Sequence, residues 1–154
     1  MLRPWTRSCL VRVYAPRAPA ANGCAAEPRW ASVRGMDLET AERFAAEWAA
    51  AWNSHDLERV LTHYTDDVEF ASPKITELLG DPSGVARGKE ALRAYWGSAL
   101  KLLPDLHFTV EDVRAGVDSV VIAYRNERGR GVTEVLTFRD GLVCRGFGAY
   151  GAEW

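Results

Sequence analysis

The hydrophobic period of this chain changes at Pro104. Between Met36 and Pro104, most apolar residues recur at helical spacing, and after Pro104 apolar and polar residues alternate almost to the end of the sequence. A period near 3.6 predicts amphipathic helices, whereas a period of 2 predicts half-buried strands. Helices followed by a run of strands favour an α+β fold, in which the helices cover one face of an antiparallel sheet.

Three helices are predicted in the first half. Asp37 is a good N-cap for the first, which carries an apolar stripe that ends at Trp52. A short strand is expected over residues 68–72, and the Gly- and Pro-rich residues 73–88 are interpreted as a loop. The predicted helices span about residues 37–52, 57–64 and 89–103.

Four strands are predicted after Pro104, over residues 106–114, 119–126, 132–139 and 142–150. Consecutive hairpins are the economical topology. A hairpin centred on Gly129 would place Tyr124 opposite Glu134, and the next hairpin would place Glu134 opposite Phe147. One face of the sheet would then hold Val120, Ile122, Tyr124, Glu134, Leu136, Phe138, Val143, Arg145 and Phe147.

Glu134 is an acid on this otherwise apolar face. Burial of its carboxyl would raise the pKa, so that Glu134 could donate a hydrogen bond to an oxyanion or shuttle a proton. The alternative is structural, since Glu134 could pair with Arg145 or Tyr124 and hold the sheet together. Both interpretations remain open from the sequence.

Charge divides the chain near Met36. Residues 1–35 contain six arginines and one glutamate, a charge of +5, and the other 119 residues carry 13 basic and 20 acidic side chains, a charge of −7. An acidic body does not favour a nucleic-acid binder, and no apolar stretch is long enough for a membrane span. Residues 1–35 are expected to be a disordered leader, either a transit peptide or an extension upstream of a protein that begins at Met36.

Cysteine usage favours a reducing compartment. Cys9, Cys24 and Cys144 are an odd number, and their spacing fits neither a disulfide framework nor a zinc site. A cytoplasmic location is therefore expected, with an organelle as the alternative if residues 1–35 are a transit peptide.

Three motifs stand out along the chain: Asp56-Leu57-x-x-Val60-x-x-x-Tyr64-x-Asp66-Asp67-Val68-x-Phe70, Gly88-Lys89-Glu90-x-Leu92-x-x-Tyr95-Trp96 and Phe138-Arg139-Asp140-Gly141. In this order they resemble the nuclear transport factor 2-like superfamily, and within it the SnoaL-like and ketosteroid-isomerase-like branch. The resemblance covers about residues 37–151 and implies a cone-shaped α+β fold with an apolar pocket at its open end. It also implies a homodimer that forms through the outer face of the sheet.

The same resemblance argues against ketosteroid isomerase activity. It places Glu134 where the isomerases carry a protonated aspartate in the oxyanion hole, but Ser72-Pro73 stands where they carry the general base. Serine cannot replace a carboxylate base near neutral pH without its own activation. Of the hydroxyl network that the isomerases use, only Tyr64 keeps a phenol.

Glu134 is the candidate acid or base, and Tyr64, Ser72 and Tyr124 are candidate orienting groups. No metal or other cofactor is expected, because the three histidines are scattered and the phosphate-loop and dinucleotide motifs are absent. The expected pocket-lining residues are Trp48, Trp52, Phe70, Tyr95, Trp96, His107, Glu111, Tyr124, Arg145, Phe147 and Tyr150.

Three functional hypotheses follow. The first is an isomerase, cyclase or lyase that acts on a flat, apolar substrate such as a polyketide or a steroid. The second is a ligand carrier or sensor with the same pocket, and the third is a dimeric interaction module whose interior is filled by side chains. A pocket above about 300 Å³ that contains Glu134 would favour the first two.

Overall fold

The computed structural model describes residues 35–151. The leader expected over residues 1–35 lies almost entirely outside the described residues. The expectation that it is disordered therefore concerns residues that the structure does not describe. The helices are α1 (Leu38–Asn53), α2 (Leu57–Leu61), α3 (Pro73–Leu79) and α4 (Gly88–Leu102). The strands are β1 (Tyr64–Ala71), β2 (Val85–Arg87), β3 (Thr109–Ala115), β4 (Ser119–Arg125), β5 (Gly131–Arg139) and β6 (Leu142–Tyr150).

All six strands form one sheet in the order β2-β1-β6-β5-β4-β3. Neighbouring strands are antiparallel except β1 and β6, which pair in parallel. Strands β3 to β6 follow one another as hairpins, as the alternating pattern predicts. The α+β fold with helices before the sheet is confirmed, and the parallel pair is the departure from an all-antiparallel sheet.

Helix α1 forms where the apolar stripe predicts it. The Asp37 carboxylate accepts a hydrogen bond from the backbone N–H of Thr40 at 2.7 Å and caps the first turn. The buried face of α1 carries both small and large side chains, including Ala45 and Trp48. This helix packs against β3. Helix α4 packs against β1, so that the core lies between the helices and one face of the sheet.

The expectation of a loop over residues 73–88 is wrong in part, because α3 and β2 lie within it. Ser72 caps α3 by accepting from the N–H of Lys74, Pro73 occupies the first turn, and Gly80 ends the helix with a φ of 71°. The cap signals are present in the sequence, but a seven-residue helix is too short to establish a period. The second predicted helix also ends early, since β1 already begins at Tyr64.

The predicted strand register is corrected at two points. The β4–β5 hairpin is centred one residue earlier, so that Tyr124 is opposite Val132 and Glu134 is opposite Ile122. This change moves the pairing by two residues and leaves each side chain on its predicted face. In β6, by contrast, Cys144 is an extra residue between the pairs Phe138–Val143 and Thr137–Arg145, and a bulge of one residue exchanges the faces that follow it.

Because of this bulge, Gly146 and Gly148 occupy the inner face of β6, where Arg145 and Phe147 are predicted. A Cβ at Gly146 would lie 2.8 Å from the ring of Phe70, so glycine is required there by close packing. Arg145 and Phe147 lie on the outer face of the sheet instead. The side chain of Arg145 is 70% exposed, and Phe147 is 45% exposed.

The core is aromatic at its centre. Trp48 is fully buried and packs against the rings of Trp52, Phe108 and Tyr124. Burial of such side chains stabilises the fold by about 1.5–3 kcal/mol each. Among residues 35–151, none of the helices has the length and apolarity that crossing a membrane requires.

Candidate active site

A cavity of about 390 Å³ opens between helices α3 and α4 and strands β4 to β6. A volume of this size is in the range of small-molecule sites, and Glu134 contributes to its wall. The hypothesis of an interaction module requires an interior filled by side chains. The structure has an open cavity instead. The lining includes seven residues expected from the sequence: Trp52, Phe70, Tyr95, Trp96, Tyr124, Glu134 and Tyr150.

Glu134 lies on the inner face of β5 with 7% of its surface exposed. The hydroxyl of Tyr124 donates a hydrogen bond to Glu134 Oε1 across 3.1 Å. Burial raises the pKa of Glu134 to about 7, and the hydrogen bond from Tyr124 opposes part of that rise. The carboxyl can therefore hold or release a proton near neutral pH, which is the property required of a general acid or base.

A cluster of three hydroxyls lies beside this acid. Ser72 Oγ accepts a hydrogen bond from the hydroxyl of Tyr95 at 3.2 Å and is 3.2 Å from the hydroxyl of Tyr150. Burial raises the pKa of both tyrosines, so both phenols stay protonated at neutral pH. The negative charge of Glu134 raises the pKa of each phenol further.

Ser72 holds the two tyrosines but is not itself in the cavity wall. Its Oγ is the N-cap of α3 and is buried behind the phenols that line the cavity. The position suits the orienting role predicted for Ser72. Contact between Ser72 and a ligand is not supported by this arrangement.

Tyr64 and Trp48 lie deeper than the sequence predicts. The indole Nε1 of Trp48 donates to the Tyr64 hydroxyl at 3.0 Å, both residues are fully buried, and neither lines the cavity. Trp96 packs edge-on between Tyr64 and the cavity, with ring centroids 5.0 Å apart. Tyr64 is thus a core residue, and the expectation that it orients a ligand directly is corrected.

Besides Trp48, four expected pocket residues lie outside the cavity wall. Arg145 and Phe147 are on the outer face because of the bulge in β6. Glu111 is the extra residue of a second bulge in β3, and its carboxylate pairs at the surface with Arg125. His107 is exposed on the segment before β3. A break in strand alternation moves Glu111, Arg145 and Phe147 out of the cavity.

Two segments that the sequence does not predict also line the cavity. Helix α3 supplies Lys74, Glu77 and Leu78, which could not be assigned while residues 73–88 were interpreted as a loop. The tip of the β4–β5 hairpin, residues 126–130, supplies a charged rim. The signal for Arg130 is the alternation of β5 continued by one residue toward the hairpin tip, because Arg130 lies two residues before Val132 and four before Glu134.

The histidines are not arranged for metal chemistry. The ring of His55 contacts the carbonyl oxygen of Leu106 at 2.8 Å, and the half-buried ring of His63 packs edge-on against Phe44. Burial lowers the pKa of His63. Within residues 35–151, no three His, Cys, Asp or Glu side chains are grouped so that they could hold a metal ion.

Comparison with known proteins identifies the family of this fold. Residues 45–146 match the family model of the SnoaL-like domain. A SnoaL-like protein of unknown function from Burkholderia thailandensis E264 is 44% identical over 77% of this chain and 100% of its own, with a TM-score of 0.74. None of the curated proteins matches this chain.

Two more distant structures share the fold alone. TerC, crystallised with polyporic acid, is 19% identical over 72% of this chain and 92% of its own, with a TM-score of 0.60. IdmH from Streptomyces antibioticus, a candidate polyketide cyclase, is 22% identical over 70% of this chain and 89% of its own, with a TM-score of 0.58.

Proposed function

Because this chain belongs to the family of SnoaL-like domains, we propose that it is an enzyme that transfers a proton on a flat, largely apolar carbonyl compound. The single observation that supports this most is the buried carboxyl of Glu134 in the wall of an open, aromatic-lined cavity. Burial of an ionised carboxyl group costs free energy unless an oppositely charged group pairs with it. Its partner Tyr124 provides one hydrogen bond but no opposite charge.

The reaction requires only groups that the chain supplies. Ionised Glu134 takes a proton from the carbon next to the ligand carbonyl, and the electron pair moves onto the carbonyl oxygen. The Tyr150 hydroxyl, whose oxygen can accept a hydrogen bond from Ser72, then donates to this enolate oxygen, and Tyr95 supports it through Ser72. Return of the proton to another carbon completes an isomerisation. Attack of the enolate carbon on a second carbonyl, with the proton passed to the new alkoxide, completes a cyclisation.

Two observations suit a flat ligand. The cavity wall contains Trp52, Phe70, Trp96 and Phe108, whose rings favour stacked or edge-on contact with another ring. Similar structures include a candidate polyketide cyclase and a protein crystallised with polyporic acid. The names of these two proteins refer to polyketides and to polyporic acid, and this supports the choice of an organic substrate for the present chain.

The test is exchange of the α-hydrogens of 2-tetralone, a flat bicyclic ketone, with deuterium from D2O, followed by NMR. Wild-type protein should accelerate exchange, and Glu134→Gln should lose about 10²–10⁴-fold of that acceleration. Glu69→Gln, a matched change on the outer face of the sheet, should leave the rate unchanged. Binding of 2-tetralone without exchange would identify a ligand carrier and overturn the enzymatic proposal.

We also propose a homodimer that forms through the outer face of the sheet. Phe147 is a large apolar side chain exposed on that face, directly opposite Val135 in the ladder. The outer residues of β4 add Val121 and Ala123 to the same surface. An apolar patch of this kind on a sheet is suited to burial against a second copy.

A further inference from the structure

The mouth of the cavity is formed by the tip of the β4–β5 hairpin, and this tip is held rigidly. Asn126 Oδ1 accepts hydrogen bonds from the backbone N–H groups of Arg128 and Arg130, both at 3.0 Å. The backbone N–H of Asn126 donates to the carbonyl of Arg130 at 3.0 Å. The backbone of Arg130 is therefore fixed on both sides, which lowers the entropy lost when its side chain binds a ligand.

The tip presents donors without matching acceptors. Asn126 and Arg130 both line the cavity, and the Oδ1 of Asn126 is already occupied, which leaves its NH₂ group to face a ligand. Among residues 35–151, the NH₂ group of Asn126 and the guanidinium of Arg130 have no hydrogen-bond partner, and no carboxylate lies within ion-pair distance of that guanidinium.

The other charges at the mouth are paired with one another. Lys74 Nζ lies 2.7 Å from Glu77, and Arg128 Nε lies 3.4 Å from Glu127. Each of these two ion pairs has no net charge. The net charge of the cavity mouth is therefore the single positive charge of Arg130. That charge stands on a body whose net charge, from residue 36 onward, is −7.

Arg130 immediately precedes β5, and Arg130, Val132 and Glu134 all line the cavity. Arg130 and Glu134 are four residues apart. Four residues of extended chain span about 13 Å. A ligand that contacts both groups must therefore be elongated, with an apolar body along Val132 and an anionic group at the end nearest the solvent.

We propose that Arg130 and Asn126 form an anion site at the cavity mouth, and that the natural ligand is an elongated, apolar carboxylate whose carbonyl end reaches Glu134. The ligand in the cavity is that of the proposed function, on which this inference rests. Carboxylate recognition by a guanidinium and an amide NH₂ uses charge-assisted hydrogen bonds, which are stronger than neutral ones. The site also sets the direction in which the ligand enters.

The test compares 2-anthracenecarboxylate with 2-anthracenecarboxamide, which has the same shape without the charge. Binding is measured by fluorescence titration at about pH 6, where most Glu134 carries a proton and repels the anion least. Wild-type protein should bind the carboxylate roughly tenfold more tightly than the carboxamide. Arg130→Gln should remove that preference, because it weakens binding of the carboxylate far more than binding of the carboxamide.

Two control variants separate this proposal from the broader one. Arg145→Gln makes the same change in net charge on the outer face and should preserve the carboxylate preference. Ala99→Trp fills the cavity from α4 and should abolish binding of both compounds. Equal affinities in the wild-type protein, or a preference that survives Arg130→Gln, would overturn the anion site and leave the ligand cavity intact. Failure of the wild-type protein to bind either compound would overturn both proposals.

Discussion

Gly148 lies directly opposite Glu134 in the β5–β6 ladder, so the residue that faces the buried carboxyl across the strands has no side chain. The ring of Tyr150 occupies the space above this glycine, and a Cβ at position 148 would lie 3.2 Å from the Tyr150 hydroxyl. The glycine thus allows the phenol to fold back toward Ser72. The hydroxyl cluster and the acid are adjacent because of it.

Gly148→Ala should displace the Tyr150 hydroxyl from Ser72. The new methyl group is closer than ordinary contact, and overpacking of this kind costs about 1–3 kcal/mol of stability. We expect a lower Tm together with a slower tetralone exchange. Gly131→Ala is the control, because a Cβ there meets nothing within 4 Å; equal effects of the two variants on exchange would show that Tyr150 has no part in it.

Glu134→Gln should stabilise the protein at alkaline pH. The folded-state pKa of Glu134 is raised to about 7 from an ordinary value of 4.5, so the folded state holds this proton more tightly than the unfolded state does. Stability is therefore lost as pH rises from about 4.5 to 7, by about 3 kcal/mol in all. Urea unfolding at pH 8 should show the variant more stable by about that amount, and the difference should vanish near pH 4. A difference in stability between the variant and the wild-type protein that is the same at pH 4 and pH 8 would contradict the raised pKa.

Tyr124→Phe should raise the pKa of Glu134 further. The hydroxyl of Tyr124 donates to the carboxylate and lowers its pKa, so its removal favours the protonated form. Titration of the Glu134 carboxyl by ¹³C NMR should show a midpoint above that of the wild-type protein. The pH at which exchange activity appears should move upward with it, and a midpoint that moves down would mean that the hydroxyl does not donate to this carboxylate.

Ser72→Ala should weaken α3 and release the two phenols together. Loss of the N-cap costs about 1 kcal/mol, and the Tyr95 and Tyr150 hydroxyls lose their shared partner. We expect a modest drop in Tm and a drop in exchange rate of about tenfold or more. Asp37→Ala removes a comparable cap from α1, away from the cavity, and should lower the Tm without slowing exchange. Parallel losses of rate in both variants would assign the effect of Ser72 to stability alone.

Phe147→Asp should separate the proposed dimer into monomers. A carboxylate on the outer face would be buried against a second copy without a partner, while in the monomer it would face water. Analytical ultracentrifugation should show the mass of one chain for the variant and of two for the wild-type protein. Equal masses for the two proteins would remove Phe147 from the interface.

The fold could be predicted to a large extent because its longest elements have clear periods. The four strands after Pro104 and the helices α1 and α4 lie within a few residues of their predicted positions. Helix α3 was missed because seven residues are too few for a period, although Ser72 and Gly80 mark its ends. The sequence predicts a helix or a strand from the spacing at which apolar residues recur, and a short element contains too few residues to show that spacing.

The candidate site was harder to predict, because it depends on register. The sequence predicts the correct face for Glu134 and Tyr124, since an error of two residues in a hairpin preserves alternation. It predicts the wrong face for Arg145 and Phe147, since nothing in the local sequence of β6 marks Cys144 as an extra residue. Contacts between strands, which decide where a bulge forms, are not encoded in any one segment.

The bulge at Cys144 also decides whether the domain is hollow. In the uninterrupted frame, the inner positions of β6 would hold Arg145, Phe147 and Ala149, and the two larger side chains would occupy the space in front of Glu134. The shifted frame substitutes Gly146 and Gly148, with Tyr150 at the far end. The room for a ligand is thus created by one inserted residue, and a gain or loss of a single codon in this strand would alter it more than most substitutions along the wall.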